Sequence, residues 1–349
     1  MKKFFIKKKK LQSKISVITV VMPVFNTDKI ILKRNITSII EKMLLPFDFI
    51  LIFDGSDKNL INYILNFIKN KNINKYKLNN FSIYKFKKSV FETTCDKLGI
   101  NKSKTRYVIE IQADMLMHQK GFDKYLVKAM KKYNDLIALS GRGCLLLKPI
   151  YDHYLKSTGT DLKIDNFYKI KVNYLKLLIK NIIKRLKIIF FNFKDYKISC
   201  GDVLPSDKKF LKFGIAGQLG ELIEFSMKNC GFKNKIYLSE IVMRGPLLID
   251  KLKYDELGGL DNFSFFQGYD EIDLMIRAWK YKKYRCGYVR INFESPLNDG
   301  TTRKKKTFKQ IKLIKENINR IKENRKKSLL YNSNKFLKNN HPNLEIRYF

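Results

Sequence analysis

Acidic residues are scarce in this chain. Its 349 residues include 71 Lys and Arg but only 32 Asp and Glu, which gives a formal net charge of +39. Because so positive a field attracts polyanions, this balance favours nucleotide phosphates, anionic lipid surfaces, acidic glycans or nucleic acid as partners. Apolar residues make up 45% of the chain, so the composition is not that of a disordered protein, and the length suffices for one large α/β domain or two smaller ones.

Cysteine and histidine are also few. The five cysteines are odd in number and include no Cys-x-x-Cys pair, so they indicate free thiols in a reducing compartment and exclude a paired-cysteine zinc site. A histidine-rich metal site is not expected either, because the three histidines are dispersed. These residues are Cys95, Cys144, Cys200, Cys230, Cys286, His118, His153 and His341.

Long apolar runs are missing. No run reaches the 18 residues of an ordinary membrane-spanning helix. Residues 1–14 form a basic N-terminal lead with a very short apolar stretch, which is not the pattern of a secretory signal. We therefore expect a cytoplasmic protein, either soluble or peripheral on the inner face of a membrane.

Short apolar runs alternate with helix-periodic segments over the first 120 residues. Residues 15–24 are an almost continuous β-branched run, typical of a strand buried on both faces. Strands alternating with helices predict an α/β fold with a mostly parallel sheet, in which ligands bind at the carboxyl ends of the strands. The further predictions are helices at 29–43, 60–68 and 95–104 and strands at 49–53, 81–86 and 107–111.

Residues 150–200 have the pattern of an insertion. Apolar residues recur there at three- and four-residue spacing over 172–193, with lysines on the opposite side, which predicts a basic amphipathic helix. Two interpretations stay open: a helix packed on the sheet, or binding of residues 166–196 to an anionic membrane surface. Residues 301–349 are rich in Lys and Asn and are predicted to form a helical tail.

Carboxylates nevertheless come together once. A turn at Gly258 and Gly259 precedes an aromatic loop, and Asp270, Glu271 and Asp273 then open a predicted helix. Acidic residues stabilise helix N-termini, so simple capping is one interpretation. Three of them together in a chain poor in acid indicate a further role.

Three more segments place polar residues where predicted strands end. The first strand runs into Pro23, Phe25 and Asn26, and the second ends in an Asp-Gly turn. The strand at 107–111 is followed by Gln-Ala-Asp. Because strand ends of a parallel sheet share one edge, these residues are expected to lie together. The candidates are Pro23, Phe25, Asn26, Asp54, Gln112, Ala113 and Asp114.

In this order and spacing, the four segments resemble the family 2 inverting glycosyltransferases with a GT-A fold, in the nucleotide-diphospho-sugar transferase superfamily. The resemblance covers about residues 15–120 and 236–293. It implies a Rossmann-like, mostly parallel sheet flanked by helices. A nucleotide-sugar-binding half at 15–149 and an acceptor-binding half at 201–300 would then be separated by the helical insertion.

The resemblance also implies roles for individual residues. Glu271 stands where the family has its catalytic base, Asp270 is the alternative, and Asp273 is assigned to the helix cap. Asp114 is expected to hold Mn²⁺ or Mg²⁺, which would neutralise the charge of the departing diphosphate. The expected nucleotide-sugar contacts are Pro23, Phe25, Asn26, Asp54, Gln112, Ala113, Asp114 and Arg244.

The chain departs from the family pattern at several positions. Gln112 and Phe53 stand where the family has Asp, and the order Asp270-Glu271 is inverted. The implied activity is hexosyl transfer from a nucleotide-diphosphate donor to a glycan, a glycolipid or another saccharide acceptor in polysaccharide biosynthesis. The departures leave a non-catalytic, GT-A-like membrane-surface protein as an alternative. A nucleic-acid-binding protein is a weaker alternative, because basic residues are spread throughout and no nucleic-acid-binding motif occurs.

Overall fold

A computed structural model describes residues 3–10, 15–55, 58–70, 76–145, 233–266, 268, 270–294, 312, 342 and 345–349. The predicted insertion at 150–200, with its proposed membrane segment 166–196, lies outside the described residues. So does most of the predicted tail.

Strands and helices alternate through the first 140 residues, as predicted. The helices predicted at 29–43, 60–68 and 95–104 are confirmed as α1, α2 and α3. The described helices are α1 Lys29–Lys42, α2 Lys58–Asn70, α3 Glu92–Lys102, α4 Phe122–Lys132, α5 Lys251–Glu256 and α6 Asp270–Lys282. The described strands are β1 Lys3–Lys10, β2 Ile18–Val24, β3 Phe47–Asp54, β4 Leu78–Phe86, β5 Tyr107–Glu110, β6 Leu116–Met117, β7 Leu136–Ser140, β8 Cys144–Leu145, β9 Lys235–Ser239, β10 Ile241–Val242, β11 Leu247–Asp250, β12 Arg285–Val289, β13 Phe293–Glu294 and β14 Glu345–Tyr348.

One ten-stranded mixed sheet runs through the described part of the chain, in the order β1-β4-β3-β2-β5-β11-β7-β12-β9-β14. Strands β2, β3, β4 and β5 are parallel neighbours. Strand β11 enters antiparallel between β5 and β7, while β12 is parallel to β7. Only β1, β9 and β11 oppose the other seven strands, so the sheet is mostly parallel, as predicted.

The β-branched run of β2 is buried on both faces of the sheet. Val20 and Met22 belong to one apolar cluster with residues of α1, whereas Val21 belongs to a second cluster with residues of α3. Because successive side chains of a strand point to opposite faces, a run of this kind needs a helix layer on each side. Helices α1 and α3 supply those layers.

Two small sheets and the last strand complete the description. Strand β6 pairs with β13, and β8 pairs with β10. Residues 345–348, which fall in the predicted helical tail, instead form strand β14 against β9. Their strand is anchored by Arg347, whose Nη1 donates to Asp135 at 2.7 and 2.9 Å.

None of the helices in the described residues has both the length and the apolar character that crossing a membrane requires.

Candidate active site

The ends of β2, β3 and β5 meet at one edge of the sheet. Val24 lies opposite Phe53 in the β2–β3 pair, and Val21 lies opposite Glu110 in the β2–β5 pair. The predicted residues that follow these strands therefore share this edge. Pro23, Phe25, Gln112 and Asp114 are half-buried, Ala113 is buried, and Asn26 is exposed.

Asp54 fixes the turn that leads into α3. Its carboxylate accepts hydrogen bonds from Ser89 Oγ at 2.6 Å, Val90 N at 2.5 Å and Phe91 N at 3.0 Å. Burial raises the pKa of Asp54 despite these three bonds. This residue, predicted to contact the nucleotide, thus uses both carboxylate oxygens to hold the backbone beside the sheet edge.

The Gln112–Asp114 segment is held by hydrogen bonds from two sides. Gln112 Nε2 donates to Glu92 Oε1 at 2.7 Å, and Arg142 Nη1 donates to Gln112 Oε1 at 3.1 Å. Asn35 Nδ2 of α1 donates to the carbonyl of Ala113 at 2.7 Å. These bonds hold the backbone on which the half-buried Asp114 stands.

Arg244 lies buried among carboxylates from three elements. Its Nη1 is 2.8 Å from Asp96 and 3.2 Å from Glu92, and its Nε is 3.7 Å from Glu110. On the other side, its Nη2 donates to Asp270 and lies 3.8 Å from Glu271. We call Arg244 together with Glu92, Asp96, Glu110, Asp270 and Glu271 the acidic cluster.

Local sequence explains how these residues converge. Glu92 and Asp96 are four residues apart on α3 and so occupy one helix face. Glu110 ends β5 and is paired with Leu247 of β11, while Asp270 and Glu271 form the first turn of α6. Arg244 comes from the turn just before β11.

A glycine allows that turn to approach the Gln112 segment. Gly245 has φ +54°, and a Cβ at this position would lie 2.9 Å from Met115 Cε and 3.3 Å from Gln112 Cγ. Only glycine adopts this backbone conformation at this distance without strain. The Arg244 turn and the Gln112 segment are therefore in direct contact.

One guanidinium cannot balance five carboxylates, of which Asp96, Glu110 and Asp270 are buried. A buried unpaired charge is costly, so such groups retain protons instead. Burial raises the pKa values of Asp96 and Glu110 well above the ordinary range, against the opposing effect of Arg244. Burial, with the neighbouring Asp270 charge, raises the pKa of Glu271 to about 8.

The acidic cluster also has the chemistry to hold a cation. Glu92, Asp96 and Glu110 each offer an oxygen within 4.8 Å of the others. Both oxygens of Asp96 and Oε1 of Glu110 accept no hydrogen bond within the described residues. Carboxylate oxygens of this kind suit a hard divalent ion, although Arg244 already lies against them.

Asp114, the predicted metal ligand, is not in this cluster. Among the residues that the structure describes, no group of three acidic, His or Cys ligands includes it. Within the described residues, Asp114 therefore belongs to no three-ligand group. This fits Mg²⁺, which is commonly bound by one or two carboxylates together with substrate phosphates.

Asp273, which was predicted to cap the N-terminus of α6, forms an ion pair. Its Oδ2 accepts from Arg277 Nε at 2.8 Å. Arg277 in turn donates to the carbonyls of Leu257 and Gly259, the latter at 2.7 Å. The pair therefore ties α6 to the glycine turn, and the carboxylates of Asp270 and Glu271 are directed to Arg244.

Three members of the acidic cluster were missed by the sequence analysis. Glu92, Asp96 and Glu110 match no motif, yet two signals point to them. Glu110 is a charged residue inside the apolar run of β5, and Asp96 falls on the buried face of α3. A charge at a core position calls for a partner, which here is Arg244.

Residues 19–191 match the family model described as Glycosyl transferase family 2. No sequence among the curated proteins is similar enough to the chain to count as a match.

Similar solved structures include S. aureus TarS 1-349, with a TM-score of 0.43 and 7% identity, covering 80% of this chain and 60% of that one. They also include the mannosyltransferase PcManGT from Pyrobaculum calidifontis in complex with GDP-Man and Mn²⁺. It has a TM-score of 0.42 and 10% identity, and the match covers 80% of this chain and 55% of that one. The chain thus spans between half and two thirds of the length of these two structures.

Proposed function

Residues 19–191 place about half of the chain in glycosyl transferase family 2, and from this premise we propose a specific reaction. A sugar is moved, with inversion, from a nucleotide-diphosphate donor to a glycan, a glycolipid or another saccharide acceptor. One observation carries the proposal: Arg244 and Gly245 join the start of α6, with Asp270 and Glu271, to the Gln112–Asp114 segment at the strand ends.

Glu271 is the proposed general base. Its Oε2 is buried and accepts no hydrogen bond from any described residue, while 14% of the side chain is exposed and is the part that an acceptor hydroxyl would meet. In an inverting transfer, Glu271 takes the hydroxyl proton while the acceptor oxygen bonds to the anomeric carbon and the bond to the diphosphate breaks. A carboxylate with a pKa of about 8 is a stronger base, once ionised, than an ordinary glutamate.

Asp114 is the proposed ligand of a divalent cation, Mg²⁺ or Mn²⁺. When bound, such an ion would neutralise charge on the departing diphosphate. The residues after β2, Pro23, Phe25 and Asn26, would border the nucleotide, and Asp54 would shape that border through the 89–91 turn. Gln112 and Ala113 would lie beside the donor.

The proposal is tested by donor binding and donor turnover. A nucleotide-sugar should raise the melting temperature of the full chain, because a ligand of the native state stabilises it. Glu271→Gln should lower turnover about 10²- to 10⁴-fold while keeping the donor-induced stabilisation. Asp114→Asn should weaken that stabilisation, and chelation of divalent ions should do the same to the wild type.

Asp135→Asn is the matched control, because Asp135 pairs with Arg347 away from the strand ends. Its turnover should equal that of the wild type. If no nucleotide-sugar stabilises the wild type, the non-catalytic alternative is correct. If Glu271→Gln is fully active and Asp270→Asn is not, the base is Asp270.

A further inference from the structure

Arg244 lies between the segment assigned to the sugar donor and the start of α6, which is assigned to the acceptor. We propose that Arg244 is a positioning residue for the transfer, linking Gln112 through Glu92 to the base at the start of α6. This inference rests on the proposed function. It assigns to Arg244 a role other than the nucleotide-sugar contact that sequence motifs predict, because only 6% of the residue is exposed.

The link is a continuous chain of polar contacts. Gln112 donates to Glu92 Oε1 at 2.7 Å, and Glu92 Oε2 lies 3.2 Å from Arg244 Nη1. Arg244 Nη2 donates to Asp270 and is 3.8 Å from Glu271. A displacement at the donor strand end would therefore move the groups that hold the base.

The planar guanidinium suits this position because its two terminal nitrogens serve different helices. Nη1 contacts Glu92 and Asp96 of α3, whereas Nη2 contacts Asp270 and Glu271 of α6. The rigid fork places one nitrogen beside each helix, with ion pairs on the Nη1 side and a hydrogen bond to Asp270 on the Nη2 side. The single ammonium of lysine cannot serve both helices in this way. Burying it costs desolvation free energy that an apolar residue would avoid, so a purely structural role explains the arrangement poorly.

The same contacts explain why residue 112 is a glutamine. A carboxylate at this position would place a further anion next to Glu92, beside a cluster that already has five. The amide instead donates to Glu92 and accepts from Arg142. Gln112 is therefore matched to Glu92, and exchanging the two side chains should preserve their bond.

The first experiment uses Arg244→Lys in the full chain, with Arg106→Lys as the control. Arg106 pairs with Asp250 at 2.9 Å, outside the acidic cluster. Misplacement of a reacting group by about 1 Å can cost about 10²-fold in rate. We expect kcat of Arg244→Lys to fall by about this factor, with the donor KM changed less than about threefold, and kcat of Arg106→Lys to be unchanged.

The second experiment is an exchange that removes no charge overall. Gln112→Glu should lower kcat about tenfold or more, by the same loss of positioning, and adding Glu92→Gln should recover part of that loss. These variants test the positioning role of Arg244 even if Arg244→Lys does not fold.

Two results would overturn the inference while leaving the proposed function in place. One is wild-type kcat in folded Arg244→Lys, and the other is wild-type kcat in Gln112→Glu, in either case with Glu271→Gln inactive. Absence of turnover in the wild type with every nucleotide-sugar would instead refute the proposed function itself.

Discussion

At the scale of single residues, Glu271 is both a half-buried acid and the proposed base. Its pKa is raised to about 8 by burial and by Asp270, with Arg244 acting in the opposite direction. A base must be ionised to accept a proton. We therefore expect kcat/KM of the wild type to rise with pH and to level off above about pH 8, measured as donor turnover from pH 5.5 to 9.5. A kcat/KM that is flat across this range would contradict the assignment.

The raised pKa also has a consequence for stability. Between pH 4.5 and about 8 the folded chain holds a proton on Glu271 that the unfolded chain has released. The folded state binds more protons, so this residue makes stability fall as pH rises through that window. The Glu271→Gln variant should lack this loss. The melting temperature of the variant minus that of the wild type should therefore grow from pH 5 to pH 8. Asp135→Asn should show no such growth.

At the scale of elements, the packing of α3 against the sheet determines where Glu92 and Asp96 lie. Gly99 of α3 packs against the sheet so closely that a Cβ there would lie 2.3 Å from Val21 Cγ1 and 2.8 Å from Ile52 Cδ1. Gly99→Ala should lower the free energy of unfolding by about 1–3 kcal/mol, the usual cost of overpacking a core. Because the helix must shift to accommodate the methyl group, kcat should fall as well.

Urea denaturation and donor turnover check this prediction together. Lys102→Ala, an exposed change on the same helix, should alter stability by less than about 0.5 kcal/mol. Wild-type stability in Gly99→Ala would show that the α3 interface has room for a methyl group.

Local patterns predicted the elements better than their order in the sheet. The apolar periodicities of α1, α2 and β2 follow from their own residues, and the structure confirms these elements. The position of β11 between β5 and β7 depends on pairing between distant parts of the chain. No periodicity contains that information, so the contacts of Arg244 with Glu92, Asp96 and Glu110 could not be foreseen.

At the scale of the whole molecule, the net charge of +39 should give affinity for anionic surfaces. We predict that the full chain pellets with phosphatidylglycerol-containing vesicles and is released as salt is raised, because screening weakens such attraction. Reversing four lysines of the predicted amphipathic helix should abolish pelleting at about 0.1 M salt, a concentration at which only short-range charge contacts persist. These residues are Lys176, Lys180, Lys184 and Lys187.

The control reverses the charge of four lysines of α4. This change lowers the net charge by the same amount as the first one. Pelleting that survives the α4 change but not the first one would assign binding to residues 166–196. Pelleting unaffected by either change would contradict the assignment of membrane binding to residues 166–196. The α4 lysines are Lys124, Lys128, Lys131 and Lys132.

The sequence alone determined the α/β class, the polar residues at the strand ends and the acidic start of α6. These features are local, because periodicity and strand termination are properties of neighbouring residues. Tertiary structure decided that Arg244 would meet Glu92, Asp96 and Glu110. The reason is physical: a buried charge takes its partner from whichever element packs against it, and that packing is set by the sheet order.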